Sequence, residues 1–190
     1  MHYGEIIVDA DLCNKLGDSA KYPYLRIVFP LLADTVYIHR LVYDEIMMSA
    51  QVKEQIHDLI SEGIMQIVDD DDLDTAESMV YTSTWELLAK RMMNPDKPRK
   101  NRGEVASLSL AKTRSIPIFA TDEMNLQPII DAVLNTGMND IHCLRIIDLV
   151  KQIKAGDFPS LGRRDAKLIW LIAGKKKEHF DQDVWPLEDK

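Results

Sequence analysis

Cysteine is scarce in this 190-residue chain, which has only Cys13 and Cys143. Two thiols make no disulfide framework, and neither stands in a CxxC or Cys/His zinc spacing, so both are expected as small buried apolar residues. No apolar run approaches the roughly 20 residues of a membrane span, which excludes an integral membrane protein. The opening Met1-His2-Tyr3-Gly4-Glu5 has no basic region, and no small-residue cleavage pattern follows it, so the expected compartment is the cytoplasm. A surplus of positive charge is also missing. Lys plus Arg is 23 against 31 Asp plus Glu, giving a net charge of -8 and a pI near 5.1. That is the wrong sign for holding nucleic acid by bulk electrostatics, so any such contact must be local. The five histidines, His2, His39, His57, His142 and His179, show no HExxH or paired spacing and read as surface or packing residues.

What is present is an ordinary apolar content, 46%, enough for one core, and a regular alternation of apolar runs with helical periodicity. Strands are predicted at 5–8, 35–38, 64–68, 116–120 and 141–144. Between them helices are expected near 12–16, from Leu41 with Val42, Ile46 and Met47 on one side, at 52–60, at 75–93, at 104–113 and at 123–134. Alternation at this spacing implies an α/β fold, because parallel neighbours need crossover connections. Residues 94–103 form a loop by their prolines and glycine. The chain after 145 reads as two helices around the turn Gly156-Asp157-Phe158-Pro159-Ser160. The expected division is therefore a domain over 1–145 and a helical extension over 146–190 packed on it.

In open parallel sheets ligands bind beyond the carboxyl ends of the strands, and here acids follow those ends. Asp9 closes the first strand and opens a helix, where it either faces the crevice or caps the helix. Asp122, in Thr121-Asp122-Glu123, follows the strand 116–120 and has the same two readings. Glu45 falls at the edge of the apolar face made by Val42 and Ile46. Glu104 opens a helix, where an anion is favoured by a few tenths to about 1 kcal/mol. If the sheet brings all four together, carboxylates about 4 Å apart repel by about 4 kcal/mol per pair at an effective dielectric near 20. Such a cluster calls for protons or cations, and hard divalent ions with oxygen ligands answer to it.

These blocks carry a family resemblance. Ile7-Val8-Asp9-Ala10-Asp11, Val42-Tyr43-Asp44-Glu45-Ile46, Gly103-Glu104-Val105-Ala106-Ser107-Leu108-Ser109-Leu110-Ala111 and Ile118-Phe119-Ala120-Thr121-Asp122-Glu123 resemble, in order, the acidic blocks of the PIN domain, a metal-dependent nuclease fold. The resemblance covers residues 4 to 145. It implies a three-layer α/β/α architecture with a central parallel sheet of about five strands. It further implies that Asp9, Glu45, Glu104 and Asp122 are the catalytic quartet, binding one or two Mg²⁺ or Mn²⁺ ions for hydrolysis of RNA phosphodiesters. Thr121 resembles the hydroxyl residue beside the last acid, and Asp11 and Glu123 are auxiliary acids. The third acid, often Asp in the family, is Glu here. By analogy with the commonest bacterial role of the family, the partners would be RNA and an antitoxin protein, the chain being the toxin half of a toxin-antitoxin pair, with a homodimer as the expected assembly.

Substrate contacts need local positive charge. Lys97, Arg99, Lys100 and Arg102 lie just before Glu104, and Lys112 with Arg114 sits one helix further on, so together they could form a phosphate track. Two other readings stand beside this one. The run Ile6 to Asp11 also resembles the first motif of haloacid-dehalogenase phosphohydrolases, whose later lysine and glycine-preceded acidic pair do not occur here in the right order. A PIN-like module that binds nucleic acid or protein without cutting is the other.

Overall fold

Ile6 and Val8 alternate with Ile7 along the first strand, and all three are completely buried, which requires a layer of helices on each side of the sheet. The computed structural model describes residues 2–46, 49–97 and 99–187, so Met47, expected on the helix face after Leu41, and Pro98 of the loop lie outside the described residues. Five strands, β1 (Tyr3–Val8), β2 (Ala33–His39), β3 (Met65–Val68), β4 (Ile118–Ala120) and β5 (His142–Leu144), form one sheet in the order β3-β2-β1-β4-β5. Every neighbouring pair is parallel. The architecture is thus the predicted α/β one, with a five-stranded parallel sheet between helical layers.

Each layer has its own core. Ile6, Val8, Ile38 and Ala120 face the helices α1 (Ala10–Gly17), α2 (Tyr24–Leu32), α3 (Arg40–Ile46) and α4 (Ala50–Ser61). The same core takes in Leu149 and Ile153 of α8 (Ile146–Ala155) and Ile169 and Trp170 of α9 (Arg163–Ile172). Ile7 and Phe119 point the other way, onto α5 (Thr75–Met92), α6 (Arg102–Thr113) and α7 (Leu126–Val133). The strands therefore alternate by side chain between two cores, as a doubly covered sheet must.

Three local features differ from the sequence reading. α2 was not foreseen at all, although Leu25, Val28, Phe29 and Leu32 give it a buried stripe. Pro23 at its N-cap and Pro30 inside it mask that periodicity. The helix expected over 123–134 starts only at Leu126, so residues 121–125 form a loop at the end of β4. Beyond α9 the chain adds short turns at Lys177–His179 and Phe180–Val184, and Phe180 is buried against Trp170.

Two close approaches position the helices around the sheet. Gly17 lies where a Cβ would come within 3.2 Å of Val52, so α1 packs tightly on α4. A Cβ on Gly103 would meet the Glu45 carboxylate at 3.1 and 3.2 Å and Val42 at 3.1 Å, so α6 enters against α3 only because this position has no side chain.

Candidate active site

The strand order turns back at β1 and β4, which leave the sheet side by side while their connections diverge. Val8 pairs with Ala120, and the Asp9 amide donates to the Ala120 carbonyl at 3.1 Å. This register sets Asp9 and Thr121 next to each other at the topological switch point, where α/β sheets bind ligands. The Thr121 hydroxyl donates a short hydrogen bond to Asp9 Oδ2, and itself accepts from the Glu123 amide at 3.2 Å. Asp9 Oδ1 accepts from the Leu12 amide at 2.8 Å, so Asp9 also caps α1. Asp9 is thus the cap of α1 through one oxygen, and its other oxygen is held by Thr121.

Asp9 is 3% exposed. Burial pushes its pKa up to about 7, against the pull of the Thr121 and Leu12 hydrogen bonds, and the charges of Asp11 and Glu104 add to the rise. Glu45 is exposed as a residue, but its carboxylate lies against Gly103. Partial burial and then repulsion from Glu104 raise its pKa, while Arg102 opposes the rise. Glu104, half-buried in the first turn of α6, is thus the acid whose charge reaches both Asp9 and Glu45.

Asp122 is held differently. Its Oδ2 lies 2.9 Å from Lys15 Nζ and 2.9 Å from Lys175 Nζ, and its Oδ1 is 3.4 Å from the Ile146 amide at the start of α8. It caps nothing in α7, whose N-cap is Asn125. Lys15 also reaches Asp11 Oδ2 at 2.6 Å. Burial works against the Lys15 charge, and the two carboxylates outweigh it and hold its pKa above the ordinary value. No sequence motif marks Lys15 or Lys175. The spacing of Lys15 four residues after Asp11 on α1 was the one available signal.

The expected basic track divides. Lys100 shares a cavity of about 230 Å³ with Glu104 and Glu123, and Arg102 is near enough to act on the charge of Glu45. Lys97 and Arg99 are exposed in the preceding turn. Lys112 and Arg114 stand at the far end of α6 from Glu104 and are not brought to the acids. Lys112 Nζ donates to the carbonyls of Leu134, Met138 and Asn139, and Arg114 pairs with Glu77 at 3.3 Å.

No family model matches this chain, and no curated protein matches it. Among solved structures, a chain of VapBC2 from Rickettsia felis, determined bound to a DNA fragment from their promoter, superposes with a TM-score of 0.44 at 11% sequence identity. The match covers 74% of this chain and 98% of that one. Among the described residues no helix is long and apolar enough to cross a membrane.

The acids offer only oxygen donors, the type a hard divalent cation takes, but Asp122 is already paired with the ammoniums of Lys15 and Lys175. Among the described residues no three acidic, histidine or cysteine side chains are already arranged to hold an ion. Oxygen donors are the type such a metal takes, but the described side chains are not arranged to hold one.

Proposed function

We propose that this chain is a PIN-type nuclease that hydrolyses RNA phosphodiester bonds with the help of Mg²⁺ or Mn²⁺. The observation that carries the reading is the hydrogen bond from Thr121 to Asp9 just beyond two adjacent parallel strands at the switch point, with Glu104 near enough to act on the charges of both Asp9 and Glu45. Asp9, Glu45 and Glu104 would hold the ion, with Asp122 beside them. When bound, such an ion supplies hydroxide near neutral pH and neutralises charge on the phosphate, so no histidine or serine nucleophile is needed.

The chain's own residues do the rest. The Thr121 hydroxyl fixes one Asp9 oxygen, and the Leu12 amide fixes the other, so that carboxyl cannot rotate. Gly103 leaves room for the Glu45 carboxylate beside the start of α6. Lys100 and Arg102, on the approach to Glu104, would receive the phosphates flanking the scissile bond.

A second reading, a binding module that has the fold without the chemistry, draws on the two lysines that satisfy Asp122. One experiment separates the two: cleavage of a mixed single-stranded and hairpin RNA pool with Mn²⁺ or Mg²⁺, with and without chelator, by wild type and Asp9→Asn. Chelator-sensitive cleavage that Asp9→Asn abolishes supports the nuclease. RNA binding with no cleavage and no metal uptake by calorimetry supports the module.

A further inference from the structure

A hollow opens on the same edge of the sheet as the acids, beyond its other strands. β2 ends at His39 and β3 at Val68, and past those ends Leu41 of α3 and the short turn Asp70–Asp72 join Tyr81 and Trp85 of α5 around a cavity of about 390 Å³. Small-ligand pockets run from about 300 to 1,000 Å³. Leu41 stands one turn before Glu45 on α3, and Arg102, which also lines the cavity, stands two residues before Glu104 on α6. Cavity and acids are therefore neighbours along both helices.

The cavity has an aromatic wall and an acidic one. Tyr81 and Trp85, one turn apart, have ring centres 6.1 Å apart, and the Tyr81 hydroxyl is held by His39 Nε2 at 3.0 Å. A flat ring can stack on such a wall, and every base has a face that stacks. On the acidic side, Asp69 and Asp72 are committed to the turn itself, the Asp69 amide donating to Asp72 Oδ2 at 2.9 Å and the Asp69 carboxylate lying 3.5 Å from Arg40. Asp70 shares a hydrogen bond with Asp69. Asp71 is exposed at the cavity and forms no hydrogen bond or ion pair among the described residues. An ionised carboxylate only accepts hydrogen bonds, so it selects a ring that presents donors. Of the four RNA bases, guanine alone carries two adjacent donors, N1–H and the N2 amino group, on its pairing edge.

Building on the nuclease reading, we propose that this cavity receives one unstacked base of the RNA, with Trp85 stacking on the ring, Asp71 accepting from the pairing edge of a guanine and Arg102 holding the phosphate of that nucleotide. Stacking admits any base, and Asp71 makes the choice. The carboxylate that takes both guanine donors meets acceptors on the pairing edge of uracil, so the same group rejects that base. Arg102, exposed and without an ion pair among the described residues, ties the base site to the acids, since it also acts on the charge of Glu45.

The test is the binding of single-stranded RNA pentamers, UUXUU with each of the four bases at X, to the full-length chain in chelator. Fluorescence anisotropy of the labelled RNA gives the affinity, and tryptophan emission is recorded alongside, in wild type, Asp71→Asn, Trp85→Phe and Trp85→Leu. The guanine pentamer is expected to bind about tenfold more tightly than the other three and to quench the emission. Asp71→Asn is expected to lose the preference while melting as wild type does. Trp85→Phe is expected to keep the preference and lose the quenching, and Trp85→Leu to weaken all four pentamers by about tenfold. Should Trp85→Leu not fold, the other two variants decide the matter. If wild type binds the four pentamers equally or not at all, or if Asp71→Asn keeps the preference, the base site is refuted. Nothing is cut in chelator, so that failure leaves the nuclease reading to the cleavage assay. A guanine preference in a protein that cuts with neither Mn²⁺ nor Mg²⁺ keeps the base site and overturns the nuclease reading.

Discussion

Asp9 carries the sharpest chemical consequence of any single residue. Its pKa is raised from the ordinary carboxyl value to about 7, chiefly by burial. The folded state therefore holds a proton that the unfolded chain has already lost between roughly pH 4 and 7. Stability from this group is fully present below the unfolded value and is lost as pH climbs through that window; above it the folded chain carries an unfavourable buried charge. Asp9→Asn removes the cost while its amide oxygen still accepts from Leu12. In chelator the Asn protein is expected to melt a few degrees above wild type at pH 8, the gap closing toward pH 4, as followed by circular dichroism. A variant that melts far lower at every pH would show that the cap and the Thr121 bond outweigh the charge. At this scale the acids stand out in the sequence because Asp9 and Asp122 follow apolar strands, Glu104 opens a helix and Glu45 edges an apolar face. Lys15 and Lys175 were not, because the ion pairs that bring them to Asp122 link distant parts of the chain and leave no pattern in either local stretch.

Elements were legible where one periodicity dominates. β1 and α6 announce themselves by unbroken apolar spacing, whereas α2 carries one proline before its stripe and one within it and reads as a loop until packing is known. The contact between β2 and α5 is another that only the fold reveals. His39, the last residue of β2, is completely buried, with the Leu41 amide 3.2 Å from Nδ1 and Tyr81 Oη of α5 3.0 Å from Nε2. An amide that donates to Nδ1 requires the neutral ring, and burial lowers the pKa to about 4, with Arg102 adding to the fall and Asp69 opposing it. Stability from His39 is thus complete above about pH 6.5 and is lost as pH falls toward 4, opposite in sign to Asp9 across nearly the same window. In wild type the two slopes offset each other. His39→Gln should be less stable by about 1–3 kcal/mol at pH 7.5, as a buried hydrogen-bonded group is lost, and should show the Asp9 slope alone, gaining stability on acidification. Urea midpoints at pH 7.5, 6 and 5 read this directly. An unchanged acid limb in His39→Gln would mean that the ring is already protonated in the folded chain.

Across the whole molecule the electrostatics oppose the proposed substrate. A net charge of -8 repels a polyanion, and the proposed attractive charge is the run from Lys97 to Arg102 just before Glu104. Lys97, Arg99 and Lys100 are exposed, and Arg102 stands beside the Glu45 carboxylate; Lys112 and Arg114 are committed to other partners at the far end of the helix. At most four phosphates are therefore neutralised, and single-stranded nucleic acid releases about 0.7 counterion per phosphate neutralised. The logarithm of the RNA binding constant should fall with the logarithm of salt concentration with a slope of about -3, measured by fluorescence anisotropy in chelator so that nothing is cut. Lys100→Ala should make that slope shallower by about 0.7 and weaken binding evenly across RNA sequences, because a lysine on a phosphate reads no base. A slope of -6 or steeper would require twice the contacts this loop can make and would move the interface elsewhere, with Lys175, Lys176 and Lys177 of the extension the next cations to substitute. A slope near zero would mean that RNA is held by the acidic site or not at all, and would favour a protein partner for this face.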